Sequence, residues 1–284
     1  MDEYSLKAYA KINLGLDVIG RLPNGYHQVK MIMSSIGLCD VLTLEKAGEG
    51  IAVTTDSALL PTDESNLVYQ AAKLMMNEYG IRSGIRIHIE KKIPMAAGLA
   101  GGSTDAAAAM KGISHLYGLN VPLPRLMELG VSIGADVPYC IMGGTALAEG
   151  IGEKLTALPP APPCHILIAK PPVSVSTKYV YEHLDAVKDI RHPDIDGMTA
   201  AIMAHDLDGI LERMGNVLER VTVPAYPVIE SVKSQMRVLG ADNCLMSGSG
   251  PTVFGIFRDR QKAEAAYGIM KETPGNQVFL TAAV

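Results

Sequence analysis

The stretch that decides the fold is Ile93-Pro94-Met95-Ala96-Ala97-Gly98-Leu99-Ala100-Gly101-Gly102-Ser103-Thr104-Asp105, which continues into four alanines at 106–109. It follows Gly84-Ile85-Arg86-Ile87-His88-Ile89-Glu90, where isoleucine recurs at every second residue as in a half-buried strand. The order strand, glycine-rich loop and helix is typical of phosphate sites, because small residues let the backbone approach an anion and the first helical amides point at it. The alternative is a tight strand-to-helix turn in which the glycines serve packing.

Neither common nucleotide motif fits this loop. A P-loop requires a lysine directly after its last glycine, and the first lysine here is Lys111, beyond the alanine run. A Rossmann loop requires G-x-G-x-x-G, whereas the glycines stand at 98, 101 and 102. The sequence therefore predicts a different kind of phosphate loop.

Three segments resemble the motifs of the GHMP kinases, the superfamily of galactokinase, homoserine kinase, mevalonate kinase and phosphomevalonate kinase. Pro94, Gly98, Leu99 and Ser103 fall on the fixed positions of its P-x-x-x-G-L-x-x-x-S motif. The first motif of the superfamily is similar to Ala8-Tyr9-Ala10-Lys11-Ile12-Asn13-Leu14-Gly15-Leu16. Its third motif is similar to Leu245-Met246-Ser247-Gly248-Ser249-Gly250-Pro251-Thr252-Val253-Phe254. The chain is identified as a member of this superfamily.

Two further segments resemble one branch of the superfamily, which acts on a cytidyl diphosphate sugar alcohol in the non-mevalonate route to isoprenoid precursors. They are Arg21-Leu22-Pro23-Asn24-Gly25-Tyr26-His27 and Gly134-Ala135-Asp136-Val137-Pro138. The departures are Ala100 where many members carry glycine, Thr104 where many carry serine, and Asn24 where aspartate is common. The methyl group of Ala100 matters only if that residue needs a positive φ.

The resemblance implies an α+β fold of two domains. It implies a ribosomal-protein-like N-terminal domain over 1–158, a ferredoxin-like C-terminal domain over 164–284, and an active site between them. The proline cluster at 159–163 marks the boundary, since so many prolines fit neither a helix nor a central strand. The implied activity is ATP-dependent phosphorylation of an alcohol hydroxyl of the cytidyl substrate.

The resemblance also implies which residues bind phosphate. The residues expected at ATP are Pro94, Met95, Ala96, Ala97, Gly98, Leu99, Ala100, Gly101, Gly102, Ser103 and Thr104. Ser247, Gly248 and Ser249 are expected near the phosphates, although serine and glycine clusters also form simple turns. The Ser103 hydroxyl is a candidate contact for the magnesium of Mg-ATP, and a helix cap explains it equally well. No dedicated protein metal site is expected.

Asp136 and Lys11 are the predicted catalytic residues. Phosphoryl transfer needs mainly positioning, charge stabilisation and a carboxylate that accepts the hydroxyl proton, which the resemblance assigns to Asp136. An Asx turn or helix cap is the other interpretation of this aspartate. Lys11 lies in an apolar strand-like run, where a lysine is costly unless paired, and we expect it to pair with Asp136. The alternative is a lysine on an exposed strand face.

Asn13, Tyr26, His27 and Tyr181 are the predicted substrate-binding residues. Asn13 lies two residues after Lys11, on the same face of a strand. By resemblance, Tyr26 and His27 contact the cytosine through stacking and a hydrogen bond, while Tyr181 forms a second aromatic wall. The alternatives are an incidental hairpin tip after Asn24-Gly25, and Tyr179 in place of Tyr181.

Composition excludes several partners. A net charge of −5, with no basic face evident in the sequence, argues against nucleic acid. The acidic first residues do not resemble a signal peptide, and no apolar run approaches the ~20 residues that span a bilayer. The four cysteines are scattered, which favours a reducing, cytoplasmic setting. We expect a monomer or weak homodimer.

Periodicity and breakers predict most of the secondary structure. Asn66 should cap a helix ending at Gly80, in which Leu67, Ala71, Leu74 and Met75 share one face. The other predicted helices cover 103–117, 125–133, 228–239 and 261–271. The predicted strands cover 29–44, 84–90, 143–148, 165–170, 245–246 and 253–257.

Two other functions are compatible with the motifs. Another kinase of the superfamily, for homoserine or mevalonate, would have no use for the ring of Tyr26, because its small substrate carries no base. A non-catalytic nucleotide sensor on the same fold would be expected to lose Lys11 or Asp136, and both are present.

Overall fold

The computed structural model of the chain describes residues 2–23 and 25–284. The strands of this part of the chain are β1 (Glu3–Arg21), β2 (His27–Ala47), β3 (Ile51–Thr55), β4 (Gly84–Glu90), β5 (Thr145–Gly150), β6 (Lys154–Leu158), β7 (His165–Lys170), β8 (Gly215–Asn216), β9 (Asn243–Met246), β10 (Val253–Phe257) and β11 (Gln277–Thr281). The helices are α1 (Leu67–Glu78), α2 (Gly101–Leu116), α3 (Leu123–Gly130), α4 (Val137–Met142), α5 (Thr177–Leu184), α6 (Ile195–Met203), α7 (Leu207–Arg213), α8 (Glu219–Ala225), α9 (Val228–Val238) and α10 (Arg260–Lys271).

The chain forms two compact units, each of which mixes strands and helices. The first unit comprises residues 2–10, 38–95 and 100–143, and the second comprises 11–37, 96–99 and 144–284. The long strands β1 and β2 therefore contribute residues to both units. This mixed composition agrees with the predicted α+β class.

In the first unit, β4 pairs antiparallel with β2 and parallel with β3. Its isoleucines are fully buried and Arg86 between them is exposed, which confirms the half-buried strand read from the alternation. Helices α1 to α4 contribute the rest of this unit's core. Each fully buried aliphatic side chain contributes roughly 1.5–3 kcal/mol relative to exposure.

Helix α1 begins at its predicted cap. The Asn66 side chain accepts a hydrogen bond from the Val68 amide at 2.8 Å, which satisfies one of the free donors of the first turn. The buried face consists of Val68, Ala71, Ala72 and Met75, whereas Leu67 and Leu74 are only half-buried. The helix is thus as predicted, with its buried face turned slightly from the predicted one.

Helix α2 is buried on most of its circumference. The alanines at 106–109 lie in the core together with Met110 and Ile113. Short side chains let neighbouring elements approach the helix closely, which explains why an alanine run of modest hydrophobicity forms a core helix. The helix starts at Gly101, two residues before the predicted start.

The second unit contains an antiparallel sheet in the order β11-β7-β10-β9. Every residue of β10 is buried, as its continuous apolar sequence indicates. The same unit pairs β2 with β5, β5 with β6, and β1 in parallel with β8. Helices α9 and α10 confirm the predictions for 228–239 and 261–271.

The prolines at 159–163 lie between β6 and β7, outside regular structure. The sequence did not predict the full length of β1 and β2, the strands β3, β6, β8 and β11, or the helices α4 to α8. In the part of the chain that the structure describes, no helix has both the length and the apolar character needed to cross a bilayer.

Candidate active site

Lys11 and Asn13 lie on one face of β1 and contact each other. The Lys11 side chain donates a hydrogen bond from Nζ to Asn13 Oδ1 at 2.6 Å. Lys11 is 5% exposed and Asn13 is 0% exposed, so the exposed-face interpretation of Lys11 is wrong. Asn13 Nδ2 in turn donates to Met31 Sδ on β2 at 3.3 Å. The extended backbone thus directs an ammonium and an amide toward one point.

The glycine-rich loop contacts the third motif within the second unit. Ser247 Oγ donates to the Gly98 carbonyl at 2.9 Å. Gly98 has a φ of +72°, and a Cβ placed on it would lie 2.2 Å from the Ser247 carbonyl oxygen. No side chain fits at that distance, so the close approach of the two backbones requires glycine.

Lys11 lies against both of these segments. Its amide donates to the Leu99 carbonyl at 3.1 Å. A Cβ placed on Gly248, which has a φ of +56°, would lie 3.2 Å from the Gly98 carbonyl oxygen and 3.6 Å from Lys11 Nζ. Residues of three motifs that are far apart in the sequence therefore meet in the second unit.

Three polar residues that sequence reasoning missed hold the third motif. Asn216 Nδ2 donates to the carbonyls of Met246 and Gly248, both at 2.8 Å. Thr222 Oγ1 donates to the Ser249 carbonyl at 3.2 Å, and the hydroxyls of Thr177 and Ser249 share a hydrogen bond of 2.8 Å. These partners come from α5, α8 and β8, which the sequence did not predict.

The backbone between residues 96 and 100 alternates in handedness. Ala96, Gly98 and Ala100 have positive φ values of 48°, 72° and 58°, whereas the residues between them do not. Such alternation curls successive N–H groups toward one side of the chain and makes anion-binding concavities. Among the predicted loop residues, Pro94, Ala97 and Leu99 are buried, Met95 is half-buried, and Ala96 and Gly102 are exposed.

Ala100 occupies the N-cap position of α2 in the left-handed region, with no side-chain capping hydrogen bond. The interpretation of Ser103 as the helix cap is therefore wrong, because Ser103 is the third helical residue. The amides of Gly101, Gly102 and Ser103 belong to the first turn, where helix geometry provides no intrahelical acceptor. Thr104 Oγ1 instead donates to the Tyr9 carbonyl at 2.8 Å.

A buried ionic cluster precedes this loop in the first unit. Lys91 Nζ donates to Asp105 Oδ2 at 2.7 Å and forms a short hydrogen bond with Asp40 Oδ2. Asp40 Oδ1 accepts the amides of Lys92 and Ile93 at 2.6 and 2.7 Å. The side chains of Lys91, Asp40 and Asp105 are 5%, 0% and 2% exposed.

Two carboxylates face one ammonium in this cluster, so its charge is unbalanced when both are ionised. Desolvation by burial, opposed by Lys91 and reinforced by Asp40, raises the pKa of Asp105 to about 8. Asp105 thus holds a proton near neutral pH. The sequence offered one signal for the cluster, which is the aspartate that directly precedes the alanine run of α2.

Asp136 belongs to the first unit and occupies the N-cap position of α4. Its side chain makes no capping hydrogen bond, and its backbone is right-handed helical, with φ of −84° and ψ of −13°. The helix-cap interpretation therefore does not explain this aspartate. The carboxylate is half-buried beside the buried Val137 and Pro138. Its predicted ion pair with Lys11 stays a prediction.

His27 and Tyr181 lie together in the second unit, at the start of β2 and on α5. Their ring centroids are 5.1 Å apart, at an interplanar angle of 38°. His27 Nε2 hydrogen-bonds to Asp185 Oδ1 at 2.7 Å. Tyr179 packs instead against His183, with centroids 3.9 Å apart. Of the two tyrosines considered, Tyr181 is the one that contacts His27.

Tyr26 is 59% exposed beside His27. The preceding turn is closed by hydrogen bonds from the Leu22 amide to the Tyr26 carbonyl and from the Gly25 amide to the Leu22 carbonyl. Gly25 has a φ of +86°, as the predicted turn requires. The predicted turn residue Asn24 lies outside the described residues.

Comparison with known proteins agrees with these motifs. The sequence model "GHMP kinases N terminal domain" matches residues 66–144, and "GHMP kinases C terminal" matches residues 198–276. Together the two matches cover more than half of the chain.

Curated relatives match over nearly the whole chain. The 4-diphosphocytidyl-2-C-methyl-D-erythritol kinase of Lachnospira eligens is 56% identical over 99% of this chain and 98% of its own length. The kinase of the same name from Lachnoclostridium phytofermentans is 54% identical over 99% of this chain and 97% of its own length.

Solved structures share the fold. A crystal structure of 4-(cytidine 5'-diphospho)-2C-methyl-D-erythritol kinase superposes with a TM-score of 0.84 at 30% identity, covering 99% of both chains. Homoserine kinase from Cytophaga hutchinsonii superposes with a TM-score of 0.81 at 23% identity, covering all of this chain and 95% of its own. At that identity the second match shows the fold alone.

Proposed function

The chain belongs to the 4-diphosphocytidyl-2-C-methyl-D-erythritol kinases of the GHMP kinase family, and we propose that it transfers the terminal phosphoryl group of ATP to the 2-hydroxyl of 4-diphosphocytidyl-2-C-methyl-D-erythritol. This reaction belongs to non-mevalonate isoprenoid precursor biosynthesis. The observation that carries the proposal is the identity of 56% over 99% of the chain. The meeting of Lys11, Gly98 and Gly248 supports it independently.

Asp136 is the base that accepts the proton of the 2-hydroxyl as the oxygen attacks phosphorus. A carboxylate suits this role because it accepts hydrogen bonds only and can orient the hydroxyl before the transfer. The absence of a capping hydrogen bond supports the assignment, since the helix does not use the carboxylate. Its half-buried position limits competition from water.

Lys11 supplies positive charge to the phosphoryl group that is transferred. Its hydrogen bond to Asn13 fixes the direction of the ammonium. Asn13 contributes a further polar group for the substrate. A buried, preoriented charge stabilises a transition state more than a solvated one does.

Residues 94–104 bind the ATP phosphates through backbone amides. The alternating handedness at 96–100 and the first turn of α2 both present N–H groups, and the helix dipole adds to their attraction for an anion. Ser247, Gly248 and Ser249 lie near the phosphates and keep Gly98 in place. A loop of this kind needs no lysine of its own.

Tyr26, His27 and Tyr181 bind the cytosine. The tilted contact between the rings of His27 and Tyr181 supports a pocket in which an aromatic base stacks. This pocket separates the present chain from kinases whose substrates carry no base.

Mg²⁺ enters as Mg-ATP. Among the described residues no group of three or more His, Cys, Asp or Glu side chains is placed to hold a metal ion. The donors near the loop are hydroxyls such as that of Ser103, which suit an ion that keeps most of its ligands from phosphate and water. The ion, when bound, neutralises charge on the phosphates.

The finer features of the fold and setting complete the proposal. The N-terminal domain, 1–158, is ribosomal-protein-like and the C-terminal domain, 164–284, is ferredoxin-like. The protein acts in the cytoplasm as a monomer or weak homodimer, without nucleic acid or membrane.

The test compares Asp136→Asn with the wild type, using ATP and the cytidyl substrate. We expect kcat to fall by at least about 10³-fold while the dissociation constant of ATP stays within twofold, because only the proton acceptor is lost. Glu128→Gln on α3 is the matched control, since Glu128 is an exposed carboxylate that pairs with Arg125 at the surface. Near-normal kcat in Asp136→Asn would remove Asp136 from the mechanism. A wild-type preference for homoserine or mevalonate would overturn the substrate assignment.

A further inference from the structure

Three segments of the second unit meet at the side chain of Asp185, immediately after α5. Its Oδ1 atom lies 2.7 Å from His27 Nε2, at the start of β2. Its Oδ2 atom accepts a hydrogen bond from Arg21 Nη1 at 3.2 Å, at the end of β1. The two oxygens thus have different partners, and Arg21 compensates the charge of the carboxylate.

The contact with Asp185 determines which nitrogen of His27 carries the proton. A carboxylate only accepts hydrogen bonds, so Nε2 must be the donor. In a neutral imidazole the other nitrogen, Nδ1, then presents a lone pair. Within residues 2–23 and 25–284, no hydrogen bond joins Nδ1 to the protein. The acceptor on Nδ1 is therefore available to a ligand.

The His27 ring is also held in place. Its side chain is 10% exposed, and Tyr181 packs against it at 5.1 Å. Turning the ring over would replace the hydrogen bond to Asp185 by a contact between a carbon atom and a carboxylate. Packing and hydrogen bonding thus favour one orientation and one tautomer.

A fixed acceptor distinguishes cytosine from uracil. Cytosine carries an amino group at position 4, which donates, whereas uracil carries a carbonyl there, which accepts. The lone pair on Nδ1 accepts a hydrogen bond from the amino group of cytosine, whereas it would repel the lone pairs of the uracil carbonyl. A site built to bond a donor rejects an analogue that lacks it, because the buried acceptor is then left unsatisfied.

We propose that Asp185 is a positioning residue that fixes His27 as the Nε2–H tautomer and thereby makes this chain select cytidine over uridine substrates. This inference rests on the proposed function, in which His27 contacts the cytosine of the cytidyl substrate. Asp185 itself acts only through the imidazole.

The experiment measures kcat and KM of Asp185→Ala with the cytidyl substrate and with its uridyl analogue. We expect the KM of the cytidyl substrate to rise about tenfold, which corresponds to about 1.4 kcal/mol, while kcat and the KM of ATP change less than twofold. The ratio of kcat/KM for cytidyl over uridyl substrate should fall at least about tenfold, because a released imidazole can present Nδ1–H to the uracil carbonyl.

One control and two further variants test the route through His27. Glu182→Gln removes a carboxylate from the same helix, which pairs with Lys178 at 3.9 Å, and it should leave the ratio unchanged. Asp185→Asn should give an intermediate ratio, because an amide can either accept from Nε2 or donate to it. In a His27→Ala background, Asp185→Ala should change the ratio by less than twofold, since the two residues act as one unit.

The outcomes separate the two proposals. An unchanged ratio in Asp185→Ala, in a wild type that phosphorylates the cytidyl substrate, overturns the role of Asp185 alone. A further fall in the His27→Ala background also overturns it. A wild type that does not phosphorylate the cytidyl substrate refutes the proposed function instead. An increased KM for ATP together with a lower unfolding temperature would identify Asp185 as structural.

Discussion

Replacing Lys91 by methionine tests the buried ionic cluster of the first unit. The substitution keeps the length of the side chain and removes the ammonium that contacts Asp40 and Asp105. Near neutral pH, Asp105 holds a proton, so the charge left without a counterion is that of Asp40, which is 0% exposed. Asp40 also accepts two amide hydrogen bonds, but no solvent contacts its buried side chain to replace the lost counterion.

The expected cost follows from this burial. Exposed ion pairs contribute about 0–1 kcal/mol, whereas removing one partner of a buried pair costs about 3–5 kcal/mol, since a charge remains in a poorly polarisable environment. For a chain of this size, 1 kcal/mol corresponds to roughly 2–4 °C. Lys91→Met should therefore lower Tm by about 6–20 °C.

Thermal unfolding followed by circular dichroism measures this shift, with Lys92→Met as the control. Lys92 is the next residue and is exposed, so the same change there should stay within about 0.5 kcal/mol. The variant Asp40→Asn adds a double-mutant cycle, because an amide oxygen can still accept the amides of Lys92 and Ile93. The double variant Asp40→Asn/Lys91→Met should lose about 0.5–3 kcal/mol less unfolding free energy than the two single variants lose together. If Lys91→Met and Lys92→Met unfold at the same temperature, the cluster does not stabilise the fold.

Two further predictions concern α2. The pKa of Asp105 is raised to about 8 in the folded state against an ordinary value near 4, so its contribution to stability is complete below about pH 4 and is lost as the pH rises through about 8. In urea unfolding between pH 5 and 9, the stability of Asp105→Asn relative to wild type should therefore increase with pH. A difference that stays constant with pH would contradict the raised pKa. Ala100→Gly should raise Tm by about 1–4 °C in calorimetry, because it relieves about 1–2 kcal/mol of left-handed backbone strain and adds only ~0.4–1 kcal/mol of conformational entropy to the unfolded state. An unchanged or lower Tm would show that the loop bears no strain at this residue.

Rules that depend only on neighbouring residues predicted three kinds of feature correctly: an alternating strand, the start of a helix and a fully buried strand. Alternating isoleucines gave β4, Asn66 gave the start of α1, and a continuous apolar run gave β10. These patterns depend on neighbours within one turn or one strand. The helices α4 to α8 were missed because each has only six to nine residues, so no window of sequence shows a sustained period. Helix α8 is also interrupted by Pro224.

Some residues of the candidate site were likewise located from the sequence, and others were not. Motifs located Lys11, Gly98 and Ser247, because their residue types stand at fixed spacings within each segment. The residues that hold these motifs, Asn216 and Thr222, follow no spacing rule, since each bonds a backbone carbonyl that is distant in the sequence. The alternative interpretation of Ser103 as a helix cap was wrong: sequence statistics favour serine at the N-cap, whereas the chain places a left-handed alanine, Ala100, at that position.

Hydrogen bonds on both sides hold the strained backbone of residues 96–100 in place. Two alanines in the left-handed region cost about 1–2 kcal/mol each, so residues 96–100 would relax if their surroundings allowed it. In the second unit, the Ser247 hydroxyl and the Lys11 amide hold the carbonyls of Gly98 and Leu99. In the first unit, Asp40 holds the amides of Lys92 and Ile93, directly before the loop. The chain is thus fixed before the strained segment and within it, and its amides remain curled for an anion without a ligand to organise them. Under the proposed function, in which residues 94–104 bind the ATP phosphates, a loop held in this way loses less conformational entropy on binding.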